Sequence, residues 1–425
     1  MKLQTLVQHA YEASLQAIEG SKLLLLHPES RYRSMVVARF LIDSPRPVFY
    51  YAMGPYDINL SAFVSGFAHD LADQNPLFGR RLNQMGIDAH SERQSELLSA
   101  LLEDLASASR EPYFLILDEY DACDTANDVQ AFLEQVFLNL PEHCQVIINS
   151  RTMPRLPWAA LVAQHHAVLL RDTEVTLHDP FRTQTQEALA HLSIQGLGIE
   201  NVTKDDQLVE NWEGHLPRLL LVFALERPVV TRAEICQAFW LELDSDQAVN
   251  VFHVTKRRLH KALDFDVLVH QDGYYQVNPR VVVDYDIHQF VEALLEARSV
   301  PPEAAETAWQ RVVELYSGPF LQNHNEAWIE TQRRAYRAGY LEAMISIARL
   351  RLQSERPELA LRILLQATTE DAEVEELHRE IMRIYAQLGR RSEAAAHYQA
   401  LVEALRLRRI EPEPETQVLY QSLME

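Results

Sequence analysis

The sequence predicts a multidomain chain in which a parallel-sheet α/β domain precedes a winged helix-turn-helix and an all-α region. Three observations support this order. In the first 178 residues, short apolar runs alternate with helical patterns, which is typical of a parallel sheet with helices on both faces. From Thr231 to Tyr275 the chain reads as a short helix, a loop, a longer basic helix and a hairpin. Beyond Val283, apolar residues recur at helical spacing.

The composition is that of a helix-rich globular protein. A length of 425 residues suits about two to four domains, and the chain is 47% apolar with only 12 glycines. The apolar runs are shorter than a membrane span, and Met1–Gln4 begins no signal peptide, so we expect a cytoplasmic protein. The three cysteines lack the spacing of a metal site and are expected to be reduced thiols.

Charge is distributed unevenly along the chain. The net charge of −22 repels nucleic-acid phosphates at long range. The segment from Gly214 to Val283 is neutral, however, because its eight Lys and Arg residues balance eight Asp and Glu residues. This pattern permits DNA binding through a local patch, with modest affinity and a steep dependence on salt.

Residues 1–178 are predicted to form the α/β domain. The candidate strands are Lys22–His27, Pro47–Ala52, Tyr113–Glu119 and Gln145–Arg151. The candidate helices are Ser34–Leu41, Leu60–Asp73, Glu92–Ser109 and Asn127–Leu140. This alternation fits the frame of a P-loop ATPase, in which Asp118 would hold a magnesium-bound water and Glu119 would activate another water.

Two motifs at the ends of these strands carry a resemblance to a known family. Leu115–Asp121 reads LILDEYD, and Ile148–Pro157 reads INSRTMPRLP. Both are similar, in content and in order, to motifs of the signal-transduction ATPases (STAND) related to the maltose regulator. The resemblance implies a P-loop-like α/β parallel sheet in which Asn149–Arg151 occupies a sensor position.

The phosphate-binding loop departs from the pattern of that family. Such a loop needs glycines, whose backbone N–H groups wrap the phosphates, and a lysine that bridges them. The corresponding segment, His27–Ser34, contains no glycine, and Tyr32 and Glu29 bring bulk and negative charge toward the phosphates. Arg33 stands in the lysine position, and Ser34 is retained.

We therefore expect a degenerate domain without a cofactor and without enzymatic activity, which serves as an interaction or autoinhibitory module. The alternative is a nucleotide-switched ATPase regulator. It would bind ATP and Mg²⁺ through Arg33, Ser34, Asp118 and Glu119.

Residues 179–189 are predicted to link this domain to a winged helix-turn-helix at 190–283. Asp179 can cap a short connecting helix with Pro180 at its first position, where the missing N–H costs nothing. The small sheet of the second domain is expected at Leu192–Gly198 and Gln207–Val209, and its first helix at Pro217–Phe223.

The helix Gln247–Leu263 is the predicted recognition helix, with Asp244 or Ser245 as its N-cap. Its apolar residues are expected to face the core: Ala248, Phe252, Leu259 and Leu263. Its polar residues are expected to face outward: Asn250, His253, Lys256, Arg257, His260 and Lys261. A basic helix alone is usually a solvated face. The hairpin that follows, with its turn at Gln271–Gly273, favours DNA binding instead.

The segment Phe252–Leu263 and the turn Gly273–Tyr275 resemble the winged helix of the antibiotic regulatory protein family (SARP), although His260 stands where the family has arginine. The resemblance implies a sequence-specific transcription regulator that binds double-stranded DNA as a homodimer. The candidate groove contacts are Asn250, His253, Thr255 and Lys256. The candidate phosphate contacts are Arg257, Arg258 and Lys261, one of which is expected to point inward in an ion pair. Gly273 and Tyr274 would form the wing tip.

Residues 284–425 are predicted to be helical. The candidate helices are Ala304–Tyr316, Ala327–Ser354, Pro357–Thr368, Ala372–Leu388 and Ser392–Arg408. Pro357–Leu364 is similar to Arg391–Tyr398 at an offset of about 34 residues, which is typical of tetratricopeptide (TPR) repeats. The segments Leu315–Leu321 and Leu388–Ala394 resemble the bacterial transcriptional activator domain of the same family. That resemblance implies contacts with RNA polymerase or with a second protomer.

Other chemistry is not indicated. The histidines have no partners at metal-ligand spacing, and no arrangement of a nucleophile with a base is legible, so no metal or catalytic site is predicted. A second alternative is a protein–protein scaffold whose winged helix binds protein, which the net charge of −22 would suit.

Overall fold

The computed structural model describes residues 3–76, 78–85, 94–170, 188–372 and 374–424. Residues 179–187 of the predicted linker, with Asp179 and Pro180, lie outside the described residues. The chain divides into two compact units. The first comprises Met1–Ile194 and Asn201–His288, and the second comprises Gln195–Glu200 and Gln289–Glu425. The first unit thus contains the predicted α/β domain and, except for Gln195–Glu200, the predicted winged helix.

A parallel sheet forms the centre of the α/β part, as the sequence predicts. Its described strands are β1 (Leu23–Leu26), β2 (Val48–Ala52), β3 (Tyr113–Asp118), β4 (Cys144–Asn149) and β5 (Ala167–Leu170). They lie in the order β2-β3-β4-β1-β5, and every pair is parallel. Because parallel strands end at one edge, the segments after β1, β3 and β4 lie near one another.

Helices cover this sheet. They are α1 (Leu3–Ala17), α2 (Arg33–Asp43), α3 (Leu60–Gln74), α4 (Arg80–Met85), α5 (Gln94–Ser107), α6 (Asn127–Leu138) and α7 (Trp158–Ala163). The core between α1, α2 and the sheet is aromatic: Phe40 meets Tyr11 and Phe114 edge to face, at centroid distances of 4.9 and 5.4 Å. Strand β1 is fully buried, which explains its uninterrupted run of leucines.

The winged helix follows in the same unit. Its helices are α8 (Leu216–Leu225), α9 (Arg232–Phe239) and α10 (Ser245–Leu263). Its strands are β6 (Ala190–Gln195), β7 (Asn201–Lys204), β8 (Gln207–Leu208), β9 (Val230–Thr231), β10 (Leu268–Gln271), β11 (Tyr274–Val277) and β12 (Val281–Tyr285). Among the described residues they form two sheets, β12-β6-β7-β8 and β10-β11-β9.

The last strand of this domain extends two residues past the predicted boundary at Val283. Strand β12 continues through Tyr285 because it pairs in parallel with β6, from Val281 opposite Ala190 to Tyr285 opposite Ile194. The strand partner lies about ninety residues away, and local spacing carries no signal of it.

The second unit is helical. Its helices are α11 (Asp286–Ser299, whose first residues belong to the first unit), α12 (Pro302–Leu315), α13 (Ala327–Gln353), α14 (Pro357–Glu370), α15 (Glu375–Gln387), α16 (Arg391–Leu407) and α17 (Pro414–Met424). Neighbouring helices from α12 to α16 pack in sequence order as antiparallel hairpins. Among the described residues, no helix combines the length and the apolar content needed to cross a membrane.

Candidate nucleic-acid interface

Helix α10 is fixed at both ends. At its N-terminus the Asp244 carboxylate accepts a hydrogen bond from the Gln247 backbone N–H at 2.9 Å, which confirms the predicted cap. At its C-terminus Asp264 adopts a left-handed conformation, and the Lys204 ammonium donates to the Leu263 carbonyl at 2.8 Å. The helix can therefore present its outward side chains in a defined register.

One strip of α10 faces outward. At about 100° per residue, four exposed side chains fall within an arc of about 60°. They are Asn250, Val254, Arg257 and Lys261, which we call the outer strip. Val254 was not among the sequence candidates because only polar residues were considered there. Its position four residues after Asn250 and three before Arg257 is the signal that identifies it.

Two groove candidates lie away from the outer strip. The Thr255 side chain is 3% exposed, and its hydroxyl donates to the Val251 carbonyl at 2.9 Å. The prediction that Thr255 contacts bases is therefore wrong, because a buried hydroxyl cannot reach a groove. Lys256 is half-buried on the flank of the helix, where its ammonium lies 5.4 Å from the centroid of the Tyr275 ring.

His253 is exposed beside the outer strip. Partial burial lowers the pKa of its imidazole, and the positive charges of Lys256, Arg232 and Arg257 lower it further. The ring is therefore neutral at physiological pH. In that state it offers one hydrogen-bond donor and one acceptor to a base edge.

The cationic candidates form a surface network. Glu213 lies 3.4 Å from the Arg258 guanidinium and 2.6 Å from the Lys261 ammonium. The prediction of an ion pair holds, but neither cation points inward, because both partners of each pair are about half exposed or more. Exposed pairs of this kind stabilise by only about 0–1 kcal/mol, so a phosphate can replace Glu213.

His260 does not face outward as predicted. Its Nδ1 lies 2.5 Å from an Asp266 carboxylate oxygen, and its Nε2 accepts from the Leu268 backbone N–H at 3.3 Å. The ring thus joins the end of α10 to the start of β10. An arginine could not accept that backbone bond, which explains the histidine here.

The wing is a tight hairpin turn. Asp272 and Gly273 both have positive φ, of 51° and 90°, and this conformation favours Asn, Asp and Gly in a two-residue turn. Gly273 is exposed, as expected of a wing tip. The Tyr274 hydroxyl, in contrast, donates to the Asp124 backbone carbonyl at 2.8 Å and lies 3.2 Å from the Asn127 side-chain oxygen. Tyr274 therefore contacts the α/β part of the first unit.

At the predicted nucleotide site, the Asp118 carboxylate is hydrogen-bonded to neighbouring groups of the protein. The Asp118 carboxylate accepts from the Tyr50 hydroxyl at 2.9 Å and from the Asn149 amide at 2.7 Å. Burial, followed by the hydrogen bond to Asp118, raises the pKa of Tyr50 to about 12, so this hydroxyl remains a donor. The Glu119 backbone N–H also donates to Asp118, at 2.8 Å.

Arg33 lies at the start of α2 and donates to the Ser30 carbonyl at 3.1 Å, to Asn149 at 3.4 Å and to the Ser150 carbonyl. These bonds direct its guanidinium to the end of β4. Ser34 is exposed in the first turn of the helix. In the described part of the chain, no group of three or more His, Cys, Asp or Glu side chains could hold a metal ion.

A cavity of about 500 Å³ lies beside this site. One wall is the loop His27–Glu29, at the end of β1, and another contains Arg151 and Arg155. The wing hairpin contributes Tyr274, Gln276 and Val277. The cavity therefore lies between the loop His27–Glu29 and the wing hairpin.

Two family models match parts of the chain. Residues 285–424 match the family described as "Bacterial transcriptional activator domain", as the sequence predicts. Residues 35–151, which include Asp118 and the sensor segment, match the family described as "Nephrocystin 3, N-terminal". This second match is consistent with a STAND-like module.

A similar solved structure is that of Mycobacterium tuberculosis EmbR in complex with a low affinity phosphopeptide. It is 20% identical, with a TM-score of 0.46, and the match covers 55% of this chain. The chain matches 65% of the length of that protein. No curated protein matches the sequence.

Proposed function

We propose that the protein is a transcription regulator that binds double-stranded DNA sequence-specifically through its winged helix. The observation that carries the proposal is the outer strip of α10, which places an amide, an aliphatic side chain and two cations in one row on a capped helix followed by a hairpin. The bacterial transcriptional activator domain at residues 285–424 supports the same class of function. Such a regulator acts in the cytoplasm, where bacterial DNA lies.

The outer strip suits a major groove. The Asn250 amide can pair with the N6 and N7 positions of adenine, and the Arg257 guanidinium with O6 and N7 of guanine. Val254, which is 44% exposed between them, offers methyl groups to the methyl of thymine. Arg258 and Lys261, on exchanging Glu213 for phosphate, would fix the register on the backbone.

We further propose that the α/β part is a regulatory module that does not turn over nucleotide. The hydrogen bonds from Tyr50 and Asn149 occupy the Asp118 carboxylate, and Arg33 is held at the end of β4. Neither group is poised for Mg²⁺ or for a terminal phosphate. The expected result is no ATP hydrolysis and no calorimetric binding of ATP with Mg²⁺. Binding that is lost in Ser34→Ala or Asp118→Ala would instead support the nucleotide-switched alternative.

The helical hairpins of the second unit support a protein-binding role. The similar segments Pro357–Leu364 and Arg391–Tyr398 form the first turns of α14 and of α16. Ala360 and Ala394, at equivalent positions in the two segments, are fully buried. Small residues at such positions let paired helices pack closely, as in tetratricopeptide repeats. We propose that this surface contacts RNA polymerase or a second protomer.

The test is selection of genomic DNA fragments by the full-length protein, compared with Arg257→Glu and with Arg39→Glu as a matched control. Arg39 is a surface residue of α2 paired with Asp43, far from α10 in sequence and outside the winged helix. Wild type and Arg39→Glu should retain the same fragments, and Arg257→Glu should retain none above background. Equal retention by all three proteins would exclude α10 as the reading element and favour the scaffold alternative.

A further inference from the structure

The wing of the winged helix is held by the α/β part of the same unit. Besides the bonds from the Tyr274 hydroxyl to Asp124 and Asn127, the Arg155 guanidinium carbon lies 4.7 Å from the centroid of the Tyr274 ring. We call these four residues the latch. Tyr274 is its only member from the winged helix, and the sequence had assigned that residue to DNA.

Arg155 is the central residue of the latch. Its side chain is 7% exposed and donates to the Asn127 side-chain oxygen at 2.8 Å and to Glu234 at 3.4 Å. Glu234 also closes the capping box of α9 with Thr231. The latch therefore contacts the winged helix at two elements, the hairpin and the start of α9.

The latch is imperfectly satisfied. The buried Nε of Arg155 and one buried carboxylate oxygen of Asp124 have no hydrogen-bond partner. Unsatisfied buried polar atoms subtract from the stability of a contact. The adjoining cavity of about 500 Å³ also leaves the surfaces around Arg155 and Tyr274 without close packing. Both features make the latch the weaker part of the interface.

A second contact, which we call the anchor, is stronger. Arg227 pairs with both carboxylate oxygens of Glu134, at 2.7 and 2.8 Å, and also donates to the Arg155 carbonyl at 3.3 Å. Both side chains of this pair are mostly buried, and a two-pronged pair of this geometry is among the strong charged hydrogen bonds. The anchor lies in the segment between α8 and β9, and β9 pairs with β11 at Thr231 opposite Tyr274. Opening of the latch is therefore a withdrawal of the Tyr274 side chain from Asp124, Asn127 and Arg155, while the anchor and the β9–β11 pairing are kept.

We propose that the α/β part and DNA compete for Tyr274, so that DNA binding through the wing requires the latch to open. This inference rests on the proposed function. In the closed arrangement Gly273 is available at the wing tip, but the Tyr274 hydroxyl and one face of its ring are occupied. The apparent affinity for DNA is then reduced by the fraction of molecules in which the latch is open.

The first test weakens the latch from the α/β side in the full chain. Arg155→Ala removes the contact with the Tyr274 ring, and Asn127→Ala removes one acceptor. Each should tighten DNA binding by about fivefold to tenfold, because Asn127→Ala removes one contact with the winged helix and Arg155→Ala removes those with Tyr274 and Glu234. Arg39→Ala and Asn139→Ala are the controls: Arg39 pairs with Asp43, and the Asn139 amide donates to the Gln135 carbonyl. Both controls should bind DNA as wild type does.

The second test uses hydrogen exchange and does not depend on any variant. On addition of a selected DNA fragment, backbone amides around Asp124–Asn127 should exchange faster, because the wing leaves them. Those of α10 should exchange more slowly. Arg155→Ala should show the faster exchange near Asp124 before DNA is added.

Three outcomes decide the inference. Tighter binding by both latch variants, with DNA-induced exposure of Asp124–Asn127, supports it. Selective DNA binding with unchanged affinity in the variants and unchanged exchange overturns it and leaves the proposed function standing. Absence of selective binding by wild type and variants alike overturns the proposed function and this inference together.

Discussion

At the scale of single residues, the outer strip of α10 combines one amide, one aliphatic side chain and two cations. An aliphatic side chain among groove contacts has one strong partner in DNA, the methyl group of thymine. Val254 is the residue at which sequence reasoning fell short, because only polar side chains were considered, although its spacing from Asn250 and Arg257 places it on the same strip.

Val254 gives the first prediction. In a selected DNA site, replacing thymine by deoxyuridine at one position should weaken binding of wild type about fivefold, because a buried methyl contributes about 0.8–1 kcal/mol. The Val254→Ala variant should be insensitive to the same replacement. The measurement is a scan of single replacements across the site by fluorescence anisotropy. A loss of equal size in wild type and variant would show that another group touches the methyl.

Arg333 gives the second prediction, in the second unit. Its side chain is 9% exposed and donates to the carbonyls of Phe320 at 2.9 Å, Leu321 at 2.9 Å and His324 at 2.7 Å. It therefore fastens the turn that precedes α13. Arg333→Leu should lower the free energy of unfolding by about 3–5 kcal/mol, because these buried carbonyls lose their donor. Urea unfolding measures it, and Arg334→Leu, at the exposed next position, should change stability by less than about 0.5 kcal/mol.

At the scale of elements, a helix cap determines the residue at which a helix begins. The Asp244 cap sets where α10 begins and therefore which turn carries Asn250. Asp244→Ala should cost about 1 kcal/mol in unfolding free energy and should weaken DNA binding, because the first turn frays. Asp246→Ala, which removes an exposed acid from the same turn but no cap, should cost less, about 0.3 kcal/mol, through the helix dipole alone. Equal losses in the two variants would contradict the capping role.

The hairpin of α15 and α16 contains a histidine pair. Nδ1 of His378 lies 2.9 Å from Nε2 of His397, and the rings stack at 4.8 Å. Burial, and then the neighbouring His378, lower the pKa of His397 to about 4, and burial also lowers the pKa of His378. Both rings are neutral in the folded protein near pH 7.

Stability should therefore fall as the pH is lowered. Below the ordinary histidine pKa of 6.5 the unfolded chain takes up a proton that folded His397 does not take up until about pH 4. The contribution is fully present above pH 6.5 and is lost between these two values, by roughly 3 kcal/mol at most. The free energy of unfolding, measured at several values between pH 7 and pH 4.5, should change less with pH in His397→Gln than in wild type. Parallel pH profiles would contradict the assignment.

The elements also show what the sequence could and could not predict. Strands β1 to β4, helix α10 and the hairpin were predicted because apolar periodicity, the Asp244 cap and the turn at Gly273 are local signals. Strand β12 and the position of Tyr274 were not predicted. They depend on partners, β6 and the Asp124–Asn127 segment, that lie about 90 to 150 residues away in the chain, and no local pattern records such pairings.

At the scale of the whole molecule, the distribution of charge bears on the proposed affinity for DNA. The net charge of −22 is expected to keep nonspecific DNA binding weak, whereas the segment Gly214–Val283 is neutral and carries four of its eight cations on α10. Affinity must then come from local contacts, and it should fall as salt is raised, because each phosphate contact releases counterions. Under the proposed function, specific contacts made by the outer strip would carry correspondingly more of the selectivity.

The most direct test of the central claim is the affinity of Asn250→Ala for a selected DNA site and for an unrelated duplex at one salt concentration. If α10 reads bases, the variant should lose about tenfold or more in affinity for the selected site, because a bidentate base contact is worth about 1–3 kcal/mol, and nothing for the unrelated duplex. If both affinities were unchanged, or fell equally, the helix would not be the element that reads sequence, and the account of this protein as a winged-helix regulator would be contradicted.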